Sequence, residues 1–363
     1  MDDQRNQSPA QAAEALTEKI FAWRRGFNAM HLIDLGITSG LFEALAATPD
    51  VSAADLADRL GLHGPYVETW CTSAYAFELL DADDQRRFRL APAVKEILAM
   101  RGHPRYLGGY VQLGTRFVID DYRQAVDGLR TGASVPFQGR DAAFSDVVTQ
   151  AIAGVNVMVA RKILPGLAGV AQRLESGGSL LEVGCGSGYL QLQIAKTFAQ
   201  ARCTGIDIDP TGLSAAREAV VRAGVGDRVT ILEGDVAQQA PADAFDVVVM
   251  VEVLHEISPA LRAHVLGGCA RALKPGGWLV IVDETYPSTL ADSRRDEYRF
   301  PVQTGLEEMM WGNVIPTREE QDALLSASGF TGPIERSLFG AGFTLIATRK
   351  PGPAGEPPAQ PRH

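Results

Sequence analysis

From residue 179 onward, short β-branched apolar runs alternate with amphipathic stretches of helical period. Runs at 179–183, 202–206, 229–233, 246–251, 278–283 and 342–349 read as strands. Stretches at 190–198, 211–223, 258–273 and 318–329 read as helices. Parallel strands need a crossover of a dozen or so residues, and helices of this length supply it. The order therefore predicts an α/β fold with a doubly wound parallel sheet.

Residues 15–98 follow a different rule. Phe21, Phe27, Ile33, Leu35, Leu41, Phe42 and Leu45 recur at helical spacing. Ser52 can cap a helix striped by Ala53, Leu56, Ala57 and Leu60 and ended by Gly61. A second helix is expected over 64–80. After it, Leu79-Leu80, a polar turn at 81–86 and 87–90 read as a hairpin. Helix, helix, hairpin is a winged-helix arrangement. Its second helix carries no Lys or Arg and includes Glu68 and Glu78, and the whole chain has a formal charge of −10. Groove-reading helices bring cations to phosphates, so a DNA-binding regulator is disfavoured and a dimerisation or lid module expected. Residues 99–175 form a helical connector whose final helix covers about 144–164, with Ser176-Gly177-Gly178 as hinge.

In an open α/β sheet, ligands bind beyond the carboxyl ends of the strands. After the first strand stands Glu182-Val183-Gly184-Cys185-Gly186-Ser187-Gly188, a G-x-G-x-G loop whose glycines let backbone approach a ligand. Position 189 is Tyr, where a dinucleotide fingerprint wants Gly or Ala. The loop therefore suits an amino-acid moiety and a ribose better than a pyrophosphate. Asp207, ending the second strand, can accept from both ribose hydroxyls. Asp235, after the third, can accept from an adenine amino group, with Val236 against the base. A tight turn or a helix cap would explain each feature alone. Their order at three consecutive strand ends points to a nucleoside.

The segments LLEVGCGSGYL, GIDIDP, EGDVAQ, FDVVVMVEVLHEIS and LKPGGWLVIVDE resemble class I S-adenosylmethionine-dependent methyltransferases over nearly all of 179–349. The earlier LIDLGITSGLFEALA and VSAADLADRLGL resemble, more loosely, the winged-helix dimerisation domain of two-domain methyltransferases that act on small molecules. Plant-type O-methyltransferases and bacterial antibiotic-tailoring enzymes are of that kind. The resemblance implies a Rossmann-like methyltransferase domain over 176–350, behind a helical winged-helix domain and connector over 15–175. Residues 1–14 and the Pro- and Gly-rich 351–363 are expected to be disordered. It also implies S-adenosylmethionine as cofactor. Gly184, Gly186 and Gly188 would line its methionine part, with Glu182 at the loop or amino group. Asp207 would hold the ribose, Asp235 and Val236 the adenine, and Val251 and Glu252 would lie beside the sulfonium.

By the same resemblance His255, followed by an acidic residue, is the general base. A hydroxyl nucleophile must lose a proton as it attacks, and imidazole titrates near neutrality. A helix cap or packing on the cofactor would equally explain this His. Glu284 and Glu307 or Glu308 are candidate carboxylate partners. Met309, Met310 and Trp311 could wall an acceptor pocket, with Trp23, Phe27 and His31 opposite, although such stripes also serve as core. The expected reaction is methyl transfer to a hydroxyl of a natural-product-like metabolite. The alternatives are C- or N-methylation by proximity, or a non-methylating reaction such as a cyclisation on the same scaffold. No metal site is expected, since Cys71, Cys185, Cys203 and Cys269 are scattered with no C-x-x-C. The unpaired cysteines and the polar, acidic N-terminus suggest a cytoplasmic protein, and surplus apolar helix surface in the first domain suggests a homodimer.

Overall fold

A computed structural model describes residues 8–340 and 342–352. The chain divides into two compact units between Arg116 and Phe117.

The first unit opens with helix Pro9–Thr38. Ser8 and Gln11 form a reciprocal capping box at its start, which brings residues 9–14, expected to be disordered, into the helix. Helix Leu41–Ala47 follows. Ser52 accepts from Asp55 N to start helix Ala53–Leu60, and Gly61 ends it at φ 64°, as read from the sequence. Helix Gly64–Ala76 stops short of the expected residue 80, where Glu78 takes φ 60°. Strands β1 (Val51–Ser52), β2 (Leu80–Ala82) and β3 (Arg87–Leu90) make an antiparallel sheet in the order β1-β3-β2. Phe42, Leu56 and Trp70 anchor the core beneath it.

The second unit begins with helices Ile119–Thr131, Ala142–Ala151 and Ala153–Met158. The single helix expected over 144–164 is thus broken at Ile152. From Phe117 on, the connector belongs to this unit, with Ala153–Met158 packed on Tyr189–Thr197, so the chain divides some way before the expected hinge at 176–178. The sheet contains β4 (Ser179–Val183), β5 (Arg202–Asp207), β6 (Val229–Glu233), β7 (Phe245–Val251), β8 (Leu273–Asp283), β9 (Glu335–Phe339) and β10 (Phe343–Arg349). Its order is β6-β5-β4-β7-β8-β10-β9. β4 to β8 run parallel, and β10 enters antiparallel between β8 and β9.

Both faces are covered, so β7 is continuously apolar from Val247 to Val251. Val247, Val249 and Val251 join the core on one face, and Val248 and Met250 the core on the other. Helices Tyr189–Thr197, Pro210–Ala223 and Pro259–Ala272 follow β4, β5 and β7. From β4 the strand order runs outward through β5 and β6, then returns to the other side at β7. The switch point therefore lies between the carboxyl ends of β4 and β7, where this architecture places ligands.

Candidate active site

At that switch point a cavity of about 780 Å³ opens, lined only by residues of the second unit. β4 brings Glu182, and the loop after it Gly184 and Gly186. β5 brings Asp207, the β6 end Asp235 and Val236, and the β7 end Val251 and Glu252. Of the cofactor residues read from the sequence, Gly188 alone does not face the cavity. It precedes helix Tyr189–Thr197 at φ 75°.

The loop geometry explains its composition. Gly184 has φ 72°, and a Cβ there would sit 2.4 Å from a Val253 methyl. Gly186 has φ 47° with open space where a side chain would be, so its backbone faces the cavity bare. Its amide donates to Asp207 Oδ2 at 2.8 Å, while Asp207 Oδ1 accepts from Asp209 N at 2.9 Å. Asp207 is thus fixed at the cavity edge with lone pairs left over. Asp235 accepts from Ala237 N at 2.8 Å and pairs with His264 Nε2 at 2.8 Å. These partners hold its carboxyl below the usual carboxylate range against the opposing effect of burial.

The cavity wall holds buried acids whose acceptor atoms are unmet. Glu182 Oε2 and Glu252 Oε1 have no partner. Burial, reinforced by Asp207, pushes the Glu182 carboxyl well above its ordinary pKa, and burial with Asp283 does the same to Glu252. Glu256 is pushed up to about 8 by burial. Glu252 also adopts φ 57°, a strained conformation for a side-chain-bearing residue. Orphaned buried acceptors beside a glycine loop fit a ligand that brings N–H donors and positive charge, as the methionine end of S-adenosylmethionine does.

His255 stands three residues beyond Glu252 and is 3% exposed. Its Nδ1 lies 2.7 Å from Asp283 Oδ1, and its Nε2 3.3 Å from Glu308 Oε2. Desolvation alone would lower the imidazole pKa, but the carboxylates of Asp283 and Glu308 outweigh it and hold it well above the ordinary value. Asp283, fully buried, also accepts from Leu254 N at 2.7 Å and His255 N at 3.3 Å. It therefore fixes both ring and backbone. Glu308 is held by Asn313 Nδ2 at 2.9 Å. Among the described residues, Glu252, His255 and Asp283 are the group whose ligand atoms lie close enough to grip a metal ion, within 4.8 Å. Two of them, His255 and Asp283, are already joined by the 2.7 Å hydrogen bond.

Of the carboxylates read from the sequence, Glu308 reaches His255. Glu284 turns instead to Thr304 Oγ1 at 2.5 Å, and burial pushes it to about 7. Glu307 accepts from the Tyr122 hydroxyl at 3.3 Å. Asp283, the ring's nearest partner, was missed in favour of its neighbour. Trp311 is buried, donates from Nε1 to Asp121 at 2.8 Å, and packs at a tilt on the cavity-lining Phe137, with ring centroids 5.0 Å apart. Met309 is exposed on the same helix, Arg299–Trp311, and Met310 is buried. Trp23, Phe27 and His31 lie on helix Pro9–Thr38 of the first unit, with Trp23 and Phe27 exposed and the Phe27 and His31 rings 4.4 Å apart. Sequence reading also missed a wall of Phe137, Arg140, Phe144 and Asn156.

Residues 181–281 match the family described as "Methyltransferase domain". The chain is 27% identical over 305 residues to the 3-hydroxy-5-methyl-1-naphthoate 3-O-methyltransferase of Streptomyces sahachiroi, covering 80% of this chain and 83% of that protein. It is 25% identical over 362 residues to the 3-amino-4-hydroxybenzoate 4-O-methyltransferase of Streptomyces cremeus, covering 92% of each. In fold it is similar to human N-acetylserotonin methyltransferase solved with SAM, with a TM-score of 0.74 at 18% identity over 97% of this chain and 100% of that one.

Proposed function

We propose that this chain, an S-adenosylmethionine-dependent methyltransferase, methylates a hydroxyl of a small natural-product-like metabolite and uses His255 as its base. The observation that carries the base assignment is the ring held between Asp283 and Glu308, just beyond the cavity-lining Glu252. The two similar enzymes from Streptomyces methylate ring hydroxyls of aromatic acids, so hydroxyaromatic acids are the natural first probes.

When bound, S-adenosylmethionine supplies an electrophilic methyl on a sulfonium. Asp207 would hold the ribose hydroxyls, Asp235 and Val236 the adenine, and Glu182 the amino-acid end. Asp283, as acceptor at 2.7 Å, keeps a proton on His255 Nδ1. The longer contact from Nε2 to Glu308 is the one an acceptor hydroxyl can displace. Once Nε2 has lost its proton, it takes the proton of that hydroxyl as the oxygen attacks, and Asp283 stabilises the resulting imidazolium.

The proximity alternative draws on the same contact, since Glu308 occupies Nε2 before any acceptor arrives. The two readings part in one assay. Labelled S-adenosylmethionine is offered with a panel of hydroxyaromatic acids to wild type and His255→Ala. Base catalysis predicts label on oxygen and a loss of about 10²–10⁴ in turnover with cofactor affinity retained. Label on carbon or nitrogen, or a variant near wild-type turnover, would establish catalysis by proximity.

We also propose a homodimer through the first unit. Leu16, Ile20, Trp23 and Phe27 fall at i, i+4, i+7 and i+11 on helix Pro9–Thr38, and all are exposed. A symmetric second copy is the commonest cover for such a stripe. Among the described residues no single helix is long and apolar enough to cross a membrane.

A further inference from the structure

Helix Ala153–Met158 carries a residue that no motif marks. Asn156 is 4% exposed, lines the cavity, and its Oδ1 has no hydrogen-bond partner. A buried amide oxygen left without a partner is destabilising, and the usual resolution is a ligand or an ordered water. Among the described residues, the partnerless buried side-chain atoms on the cavity wall are Glu182 Oε2, Glu252 Oε1 and Asn156 Oδ1. All are oxygens. A ligand that brings N–H donors and positive charge, and so favours the ionised form of the two acids, can meet all three.

Position decides which part of the ligand Asn156 meets. Its helix packs on Tyr189–Thr197, the helix that the glycine loop leads into. On the preceding helix, Ala142–Ala151, Thr149 donates to Ser187 Oγ, inside that loop, at 2.9 Å. Thr149, Ile152 and Asn156 all line the cavity across the break at Ile152, so these two short helices wall it beside the glycine loop, and Glu182 lines it from β4. The adenine end, at Asp235 and His264, belongs to β6 and helix Pro259–Ala272.

Resting on the cofactor reading above, we propose that Asn156 is a cofactor-binding residue whose side-chain oxygen accepts a hydrogen bond from the α-ammonium of S-adenosylmethionine, opposite Glu182. An ammonium offers three donors and no acceptor, which matches a wall of unmet oxygens. Asn156 thereby distinguishes a ligand with an amino-acid end from a nucleoside without one.

The test compares S-adenosylhomocysteine with 5′-methylthioadenosine, which ends at the thioether and has no amino-acid end. Calorimetry is run on wild type, Asn156→Leu and Asn156→Asp, each checked for folding by circular dichroism. Asn156→Leu should bind S-adenosylhomocysteine about tenfold more weakly and leave 5′-methylthioadenosine unchanged, the loss of one hydrogen bond to a charged group. Asn156→Asp keeps the acceptor oxygen and should hold or strengthen S-adenosylhomocysteine relative to 5′-methylthioadenosine. Equal weakening of both ligands by a folded Leu variant would overturn the assignment. So would selective loss in the Asp variant, which would mean that Asn156 donates rather than accepts. If the Leu variant does not fold, the Asp variant alone decides. A wild type that binds neither ligand would sink the cofactor reading itself, an outcome separate from these.

Discussion

Replacing Asp283 by Asn tests the site at the point where the structure concentrates most bonds. The carboxylate accepts from His255 Nδ1 and Glu284 N on Oδ1, both at 2.7 Å, and from Leu254 N and His255 N on Oδ2. An amide of the same shape keeps one acceptor oxygen and turns an NH₂ toward the other pair of donors. If the oxygen stays with the backbone amides, the NH₂ meets Nδ1 and drives the ring into the tautomer with its proton on Nε2. That ring cannot take a proton from an acceptor at Nε2, and comparable inversions in hydrolytic triads cost about 10⁴ in kcat. We therefore expect turnover to fall by about 10²–10⁴. The cofactor's Kd should be nearly unchanged, because Asp283 does not line the cavity.

Breaking a buried pair by removing one charge also costs about 3–5 kcal/mol of stability, so Tm should fall. The pH profile provides a second readout. In wild type the imidazole pKa is held above its ordinary value by Asp283 and Glu308. Only the neutral ring is a base, so the rate should rise with pH through an inflexion higher than a free imidazole would give. Removing the Asp283 charge leaves desolvation less opposed, and the residual activity should inflect at lower pH. Turnover within about threefold of wild type, with the inflexion unmoved, would refute the proposed role of the ring.

Two further outcomes follow. Asp207→Ala should weaken S-adenosylhomocysteine binding about ten- to a hundredfold through loss of a charged acceptor, measured by calorimetry, and tight NAD binding would contradict the cofactor assignment. Light scattering at tens of micromolar should give twice the monomer mass, and Ile20→Glu with Trp23→Glu should return the monomer.

Strands β4, β7 and β8 were legible because strands buried on both faces read as nearly continuous apolar runs, and the edge strand β6 because it keeps Val229, Ile231 and Leu232. β9 was not. Its residues ERSLF are exposed or half-buried at the sheet edge, so no apolar run marks them. The cavity-lining acids Asp207 and Asp235 were legible because their placement is local, one carboxylate at or just past a strand end. The His255 partners were harder, since they depend on which face a side chain takes. A period-two count along β8 would have selected Asp283. Leu279 and Ile281 share a core with Leu254, beside His255, whereas Val280 and Val282, of the same parity as Glu284, belong to the opposite face. A helical count would have separated Glu308 from Glu307. Pro301, Thr304, Glu308 and Trp311 form the buried stripe of helix Arg299–Trp311, and Glu307 lies off it. The Phe137, Arg140, Phe144 and Asn156 wall comes from the connector, whose sequence carries helical periodicity and no motif.

The charge along this sheet edge has one sign, and that bears on why the cavity suits its cofactor. Glu182, Asp207, Asp209, Asp235, Glu252 and Glu256 all face it. Of the basic side chains on its wall, Arg140 is paired to Asp121 at 2.8 Å, and His264 Nε2 meets Asp235 at the same distance. A pyrophosphate would enter a chamber lined by acidic side chains, with no free basic group among these to meet it. A sulfonium and an ammonium reverse the sign of every such term. They also favour ionisation of the buried Glu182 and Glu252 carboxyls, which burial otherwise keeps protonated well above their ordinary range. The Tyr at 189, which departs from the dinucleotide fingerprint, and the acids beneath the loop thus exclude the same ligand for independent reasons, one of shape and one of charge.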